Sequence, residues 1–136
     1  MVDTSLVTEW LNKADEDFEF ARINLEERKN FFAQICFHFQ QAAEKYLKAF
    51  IVAKEIEFMK IHDLGLLLKM CVTVDASLEE LKDDCEYLGV FYIEARYPVH
   101  WPTNFTDSEA DKAHSATLHI QKVIKERLIP STPCNT

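Results

Sequence analysis

The densest set of chemistry-bearing side chains is the run Phe91-Tyr92-Ile93-Glu94-Ala95-Arg96-Tyr97-Pro98-Val99-His100-Trp101, which carries four aromatic rings, one Arg and one His. A guanidinium can hold a phosphate through two parallel hydrogen bonds, and aromatic rings stack on unpaired bases. Imidazole exchanges a proton near neutral pH, which suits it to general-base work. These groups suffice to cleave RNA without a metal. The base removes the 2′-hydroxyl proton, and Arg stabilises the extra charge on the five-coordinate phosphate. Arg96 and His100 are the candidate catalytic pair, with Tyr92 and Tyr97 as candidate RNA- or nucleotide-binding rings. The competing reading is a buried aromatic corner with Arg96 salt-bridged to an acidic residue.

A second set is His38, Gln41, Lys45 and Lys48, whose steps of three and four place them on one face of a helix. His38 and Lys45 are candidate nucleotide contacts. The plainer reading is a solvated polar face, with Glu44 and Lys48 as an i,i+4 pair. Phe37 falls on this polar side, about 150° from the centre of the apolar stripe, and an exposed ring there predicts a subunit contact.

Other combinations point away from chemistry. His62-Asp63 resembles a base with its orienting carboxylate, but Asp63 stands at a predicted helix start, where capping is the commoner role. A di-iron bundle needs Glu-x-x-His pairs, and the sequence has none. Asp111-x-x-His114 is the nearest match. His114 and His119 lie about 140° apart on a helix, so they are expected to be partly exposed rather than joint ligands. No nucleophile elbow is present, and Gly65 and Gly89, the two glycines of the chain, form no phosphate loop. Gly89 interrupts a predicted helix at a cost of about 1 kcal/mol unless a neighbouring helix or a second subunit packs closely there. Neither a metal nor a cofactor is expected.

The elements that must position these residues are helical. Val7, Trp10, Leu11, Ala14, Phe18, Ala21 and Leu25 form one stripe, with Asp3 or Ser5 as its cap, and Glu26 to Asn30 end it. A second, longer stripe runs through Phe32, Ile35, Cys36, Phe39, Ala42, Ala43, Tyr46, Leu47 and Phe50 until Lys54-Glu55. Leu64, Leu67, Leu68 and Cys71 predict a short third helix capped by Asp63. Asp75-Ala76-Ser77 opens a fourth, with Leu78, Leu81, Cys85, Leu88 and Phe91 or Tyr92 facing inward, which Pro98 and Pro102 stop. Thr106 and Glu109 read as a capping box before a last helix carrying Ala110, Ala113, Thr117, Ile120, Val123 or Ile124, and Leu128. The expected fold is all-α, an antiparallel up-and-down four-helix-type bundle with an extra short helix. Residues 1–129 form the bundle and 130–136 a frayed tail.

Composition agrees. The chain has 136 residues, 48% apolar and 28% charged, with 2 Gly and 4 Pro. That is one domain, with too few turn residues for a β-sandwich or barrel. A net charge of −8 repels nucleic acid as a whole, so any such contact must be local. Cys36, Cys71, Cys85 and Cys134 show no CxxC pair and read as free thiols in a reducing compartment. No signal peptide and no membrane-length apolar run is visible, so the chain reads as soluble and cytoplasmic.

Three ordered motifs carry a resemblance. Phe37-His38-Phe39-Gln40-Gln41-Ala42-Ala43-Glu44-Lys45-Tyr46-Leu47-Lys48-Ala49 resembles the signature helix of HEPN-domain proteins. His62-Asp63-Leu64 and Tyr92-Ile93-Glu94-Ala95-Arg96-Tyr97-Pro98 fit in the same order, and Ala14-Asp15-Glu16-Asp17-Phe18 with Ala21 is similar to the family's start. The likeness covers about residues 5 to 128. It implies a helical bundle that forms a homodimer, and often a gene neighbour encoding a minimal nucleotidyltransferase, the two making a toxin–antitoxin pair. Active members are metal-independent ribonucleases with an Arg followed, after four to six intervening residues, by a His. On that pattern Arg96 matches the arginine and His100 is the nearest histidine, with three residues intervening rather than four to six. No Tyr stands at the matching distance to accept adenylylation in place of the His. The resemblance leaves two functions open: a ribonuclease toxin using Arg96 and His100, or a non-catalytic dimeric module that binds a nucleotide or a nucleotidyltransferase partner.

Overall fold

The computed structural model describes residues 3–27, 30–94 and 105–129, except for the side chains of Ile93 and Glu94. Every regular element among them is helical: α1 (Thr4–Glu27), α2 (Phe32–Ala53), α3 (Leu64–Val72), a 3-10 turn (Ala76–Leu81), α4 (Lys82–Gly89), α5 (Phe91–Glu94) and α6 (Asp107–Leu128). The tail beyond residue 129 lies outside the described residues.

Polar side chains set the helix starts. Asp3 Oδ1 accepts from the backbone N–H groups of Ser5 and Leu6 at 3.0 and 3.3 Å, and Asp63 Oδ1 accepts from Leu66 N at 3.1 Å. Thr106 and Glu109 form the expected capping box. Each satisfies N–H groups that a helix start leaves open, worth about 1 kcal/mol per cap. At the end of α2 the chain turns through Glu55 at φ 56°, a left-handed conformation for a non-glycine residue.

The predicted fourth helix is corrected. Asp75 caps it as expected, through Ser77 N at 3.0 Å, but the first stretch is 3-10, and a break at Val90 separates α4 from α5. The inward residues are nonetheless those expected, with Leu78, Leu81, Cys85, Leu88 and Phe91 all buried.

Side-chain pairs give the directions. Asp17 meets Lys45 and Asp15 meets Tyr46, while Lys48 lies over Trp10. Positions fall along α1 as they rise along α2, so these helices are antiparallel. Thr117 bonds to the Phe39 carbonyl and Gln121 to the Tyr46 hydroxyl, so α6 runs with α2. Arg127 with Asp75 and His119 with Asp84 run α4 against α6. Thus α1, α2, α4 and α6 alternate up and down, and α3 is the extra short helix. The segment 54–63 returns alongside α2 to reach it.

Helix α2 is the hub, touching α1, α3, α4, α5 and α6. Its stripe from Ile35 to Ile51 is buried, and so are Gln40, Glu44 and Lys48. The expected solvated face is therefore corrected: Lys48 is buried, and His38, Gln41 and Lys45 are half-buried. A helix covered on nearly every side must bury its polar residues too, and each then requires a partner. Phe37 is likewise half-buried rather than exposed, with its ring 6.5 Å from that of Tyr92.

Candidate functional site

Buried and half-buried polar groups of α2 converge on its neighbours at two places. On the α1 side, Asp17 receives both Lys45 Nζ and, at 3.4 Å, His38 Nδ1. Burial pushes the Asp17 carboxyl up, but the hydrogen bonds from His38 and Lys45 outweigh it and hold the group below its ordinary value. The His38 ring rests 4.6 Å from Phe20. Two positions earlier on α1, Asp15 accepts from Tyr46 Oη, from Gln121 Nε2 at 3.2 Å and from Lys125 Nζ at 2.9 Å. This network ties α1, α2 and α6 together, and burial followed by the Asp15 contact raises the Tyr46 hydroxyl well above its usual range.

The second place lies toward α3. Glu44 is buried, and its Oε2 accepts from Lys48 Nζ at 2.8 Å and from His62 Nδ1 at 2.9 Å. Gln41 Nε2 reaches the other oxygen at 3.4 Å. A carboxylate only accepts, so Nδ1 of His62 carries the hydrogen, and in the neutral ring Nε2 is the acceptor. His62 is half exposed while Glu44 is not: the side-chain accessibilities are 50% and 5%. Tyr92 of α5 stacks on the His62 ring, with centroids 5.0 Å apart and planes at 13°. Lys48 also lies 5.8 Å from the rings of Trp10 and Phe58, a favourable cation–π arrangement.

Asp63 does what the sequence favoured, capping α3, and the carboxylate that orients His62 is Glu44 instead. Nothing local in the sequence links positions 44 and 62. Glu44 with Lys48 one turn on reads equally well as a solvated pair, so the burial of Glu44 left no local signal.

Of the candidate site residues, the structure brings Tyr92 to His62 and both His38 and Lys45 to Asp17. Phe37 stands between the two sets, its ring 5.8 Å from that of His38 and 6.5 Å from that of Tyr92. Arg96, Tyr97 and His100 lie outside the described residues. His114 packs its ring 5.5 Å from both Phe18 and Phe39. His119, partly exposed as expected, bonds Asp84 at 2.5 Å and Glu80 at 3.0 Å. Among the described residues no three His, Cys, Asp or Glu side chains gather to hold a metal ion, and no helix is long and apolar enough to cross a membrane.

Among solved structures the chain is similar to TT1696 from Thermus thermophilus, with 26% identity, 90% of this chain and 98% of that one covered, and a TM-score of 0.74. It is also similar in fold to ST0689, an archaeal HEPN homologue, at 23% identity, with 90% and 97% covered and a TM-score of 0.71. No curated protein matches it. The HEPN domain model matches residues 7–128, nearly the whole bundle, and the chain belongs to the HEPN domain family.

Proposed function

We propose that this HEPN chain is a metal-independent endoribonuclease that acts as a homodimer in the cytoplasm, the toxin half of a pair with a minimal nucleotidyltransferase. Arg96 holds the scissile phosphate, and His100 is a proton-transferring group. One observation carries the reading: three sequence motifs far apart in the chain meet at a single point. Glu44 of the α2 motif bonds His62 of the α3 motif, and Tyr92 of the third motif stacks on His62. Arg96 follows Tyr92 by four residues. Packing alone does not require a half-exposed histidine, a buried carboxylate and an aromatic ring to assemble in this order, whereas a proton-transferring site does.

A second reading has its own observation. Lys45 and His38 both face Asp17, so the Lys45 charge is compensated inside the fold rather than offered to a phosphate. That favours a non-catalytic dimeric module binding a nucleotide or a nucleotidyltransferase partner. Inducing the chain in growing cells, with and without Arg96→Ala, separates the two. The ribonuclease arrests growth and the variant does not; a binding module leaves growth unchanged in both cases.

A further inference from the structure

Beside the His62–Tyr92 stack, a cavity of about 450 Å³ opens between α3, α4 and α5. Its wall includes His62, Tyr92, Asp63, Glu86 and both glycines of the chain, Gly65 and Gly89. Neither glycine has a positive φ. A Cβ added at Gly89 would meet no atom within 4 Å, and at Gly65 only the Asp63 carboxylate, at 3.3 Å. Backbone conformation does not explain the glycines, and the helix expected to crowd Gly89 is not found among the described residues. What the two positions share is missing bulk next to His62. Its imidazole is held through Nδ1–H by the buried Glu44, and the side chain is half exposed.

We propose that His62 is the general base of RNA cleavage, with Glu44 as its positioning residue and the cavity as the seat of the attacking ribose. The proposal rests on the ribonuclease reading above. Asp63 and Glu86 repel a phosphate but accept hydrogen bonds from sugar hydroxyls, so the cavity suits the ribose and not the charged backbone. His62 Nε2 takes the proton of the 2′-hydroxyl. The 2′-oxygen bonds to phosphorus as the P–O5′ bond breaks, leaving a 2′,3′-cyclic phosphate. The departing 5′-oxygen takes its proton from the second proton-transferring group, the role that the ribonuclease reading gives to His100. Glu44 stabilises the imidazolium that forms and fixes the tautomer that leaves Nε2 available. Among the described residues, the charged groups around His62 are Glu44 and its partner Lys48 on α2, the neighbouring Asp63 that caps α3, and Glu86 of α4 on the cavity wall. Tyr92 on α5 covers the ring face.

The test is cleavage of an end-labelled, mixed-sequence single-stranded RNA by the purified full chain in a metal chelator, across pH 5 to 9. His62→Ala should lower the rate by about 10²–10⁴-fold with an unchanged helical spectrum, and added imidazole should restore part of it. Glu44→Gln, where the fold is kept, should displace the acidic limb of the pH–rate profile. A wild-type rate in His62→Ala overturns the role of His62 and leaves the ribonuclease reading intact. A loss that imidazole does not rescue overturns it too, assigning His62 a structural part. A wild-type chain that cuts no RNA removes both the ribonuclease reading and this proposal.

Discussion

Glu44 and His62 stand eighteen positions apart in sequence and meet at 2.9 Å, one side chain buried and the other half in solvent. The contact joins the central helix to the start of α3, and it gives the imidazole a fixed orientation at the surface. Lys48 completes a buried charge pair on the same carboxylate oxygen. The stability of the core and the geometry of the candidate site therefore rest on one group.

Removing that group should be strongly destabilising. Glu44→Ala leaves Lys48, whose side chain is 7% accessible, as an uncompensated buried cation, at a cost of about 3–5 kcal/mol in urea unfolding. The double variant Glu44→Gln/Lys48→Met should recover most of the loss, because no charge then remains unpaired. A single-variant cost below about 1 kcal/mol would show that Lys48 escapes to water.

Leu47→Ala should cost about 2–5 kcal/mol, since Leu47 is fully buried on the hub helix and little can collapse into the gap. Chemical denaturation reads this directly, and a value within a few tenths of wild type would contradict the packing described for α2.

Stability should depend on pH from both sides. Hydrogen bonding to Asp84 raises the His119 pKa above 6.5. A group raised on folding stabilises fully below its unfolded value and loses that contribution as pH rises through its folded value. His119→Gln should therefore flatten the decline of melting temperature above pH 6.5, and modestly, since His119 is 42% accessible. Asp15 and Asp17 are lowered against the opposing effect of burial. Their contribution is present above the unfolded value and disappears as pH falls through the folded one. Asp17→Asn should accordingly blunt acid unfolding below pH 4.

Cys36, Cys71 and Cys85 are buried and free, and burial pushes each thiol up to about 12. In a Cys134→Ser background, an alkylating reagent at pH 8 should label none of them until the chain unfolds. Rapid labelling of the folded protein would contradict their burial.

The sequence made the helices legible because apolar spacing and capping chemistry are local. The stripes of α1, α2 and α6, the Asp63 cap and the Thr106–Glu109 box all stand where their residues placed them. The break at Val90 was not legible, because Leu88 and Phe91 keep the apolar pattern running across it. Nor was the polar side of α2. His38, Gln41 and Lys45 look solvated on a helical wheel, which contains no information about a second helix covering them. Asp17, the residue that makes their burial tolerable, lies on a different helix. The site was half legible: the sequence marked Tyr92 and considered His62, but paired His62 with its neighbour Asp63, when the buried Glu44 is the orienting group.

A dimer should appear in light scattering as twice the chain mass of 15.9 kDa at micromolar concentration. A single chain mass would leave the proposed assembly without support.

The most direct test of the central claim is the product of RNA cleavage in the presence of EDTA by the purified chain and by Arg96→Ala. The account predicts fragments ending in a 2′,3′-cyclic phosphate from the wild type, and a rate about 10²–10³-fold lower from the variant, whose transition-state charge goes unstabilised. Intact RNA with the wild type, or equal cleavage by both proteins, would contradict it.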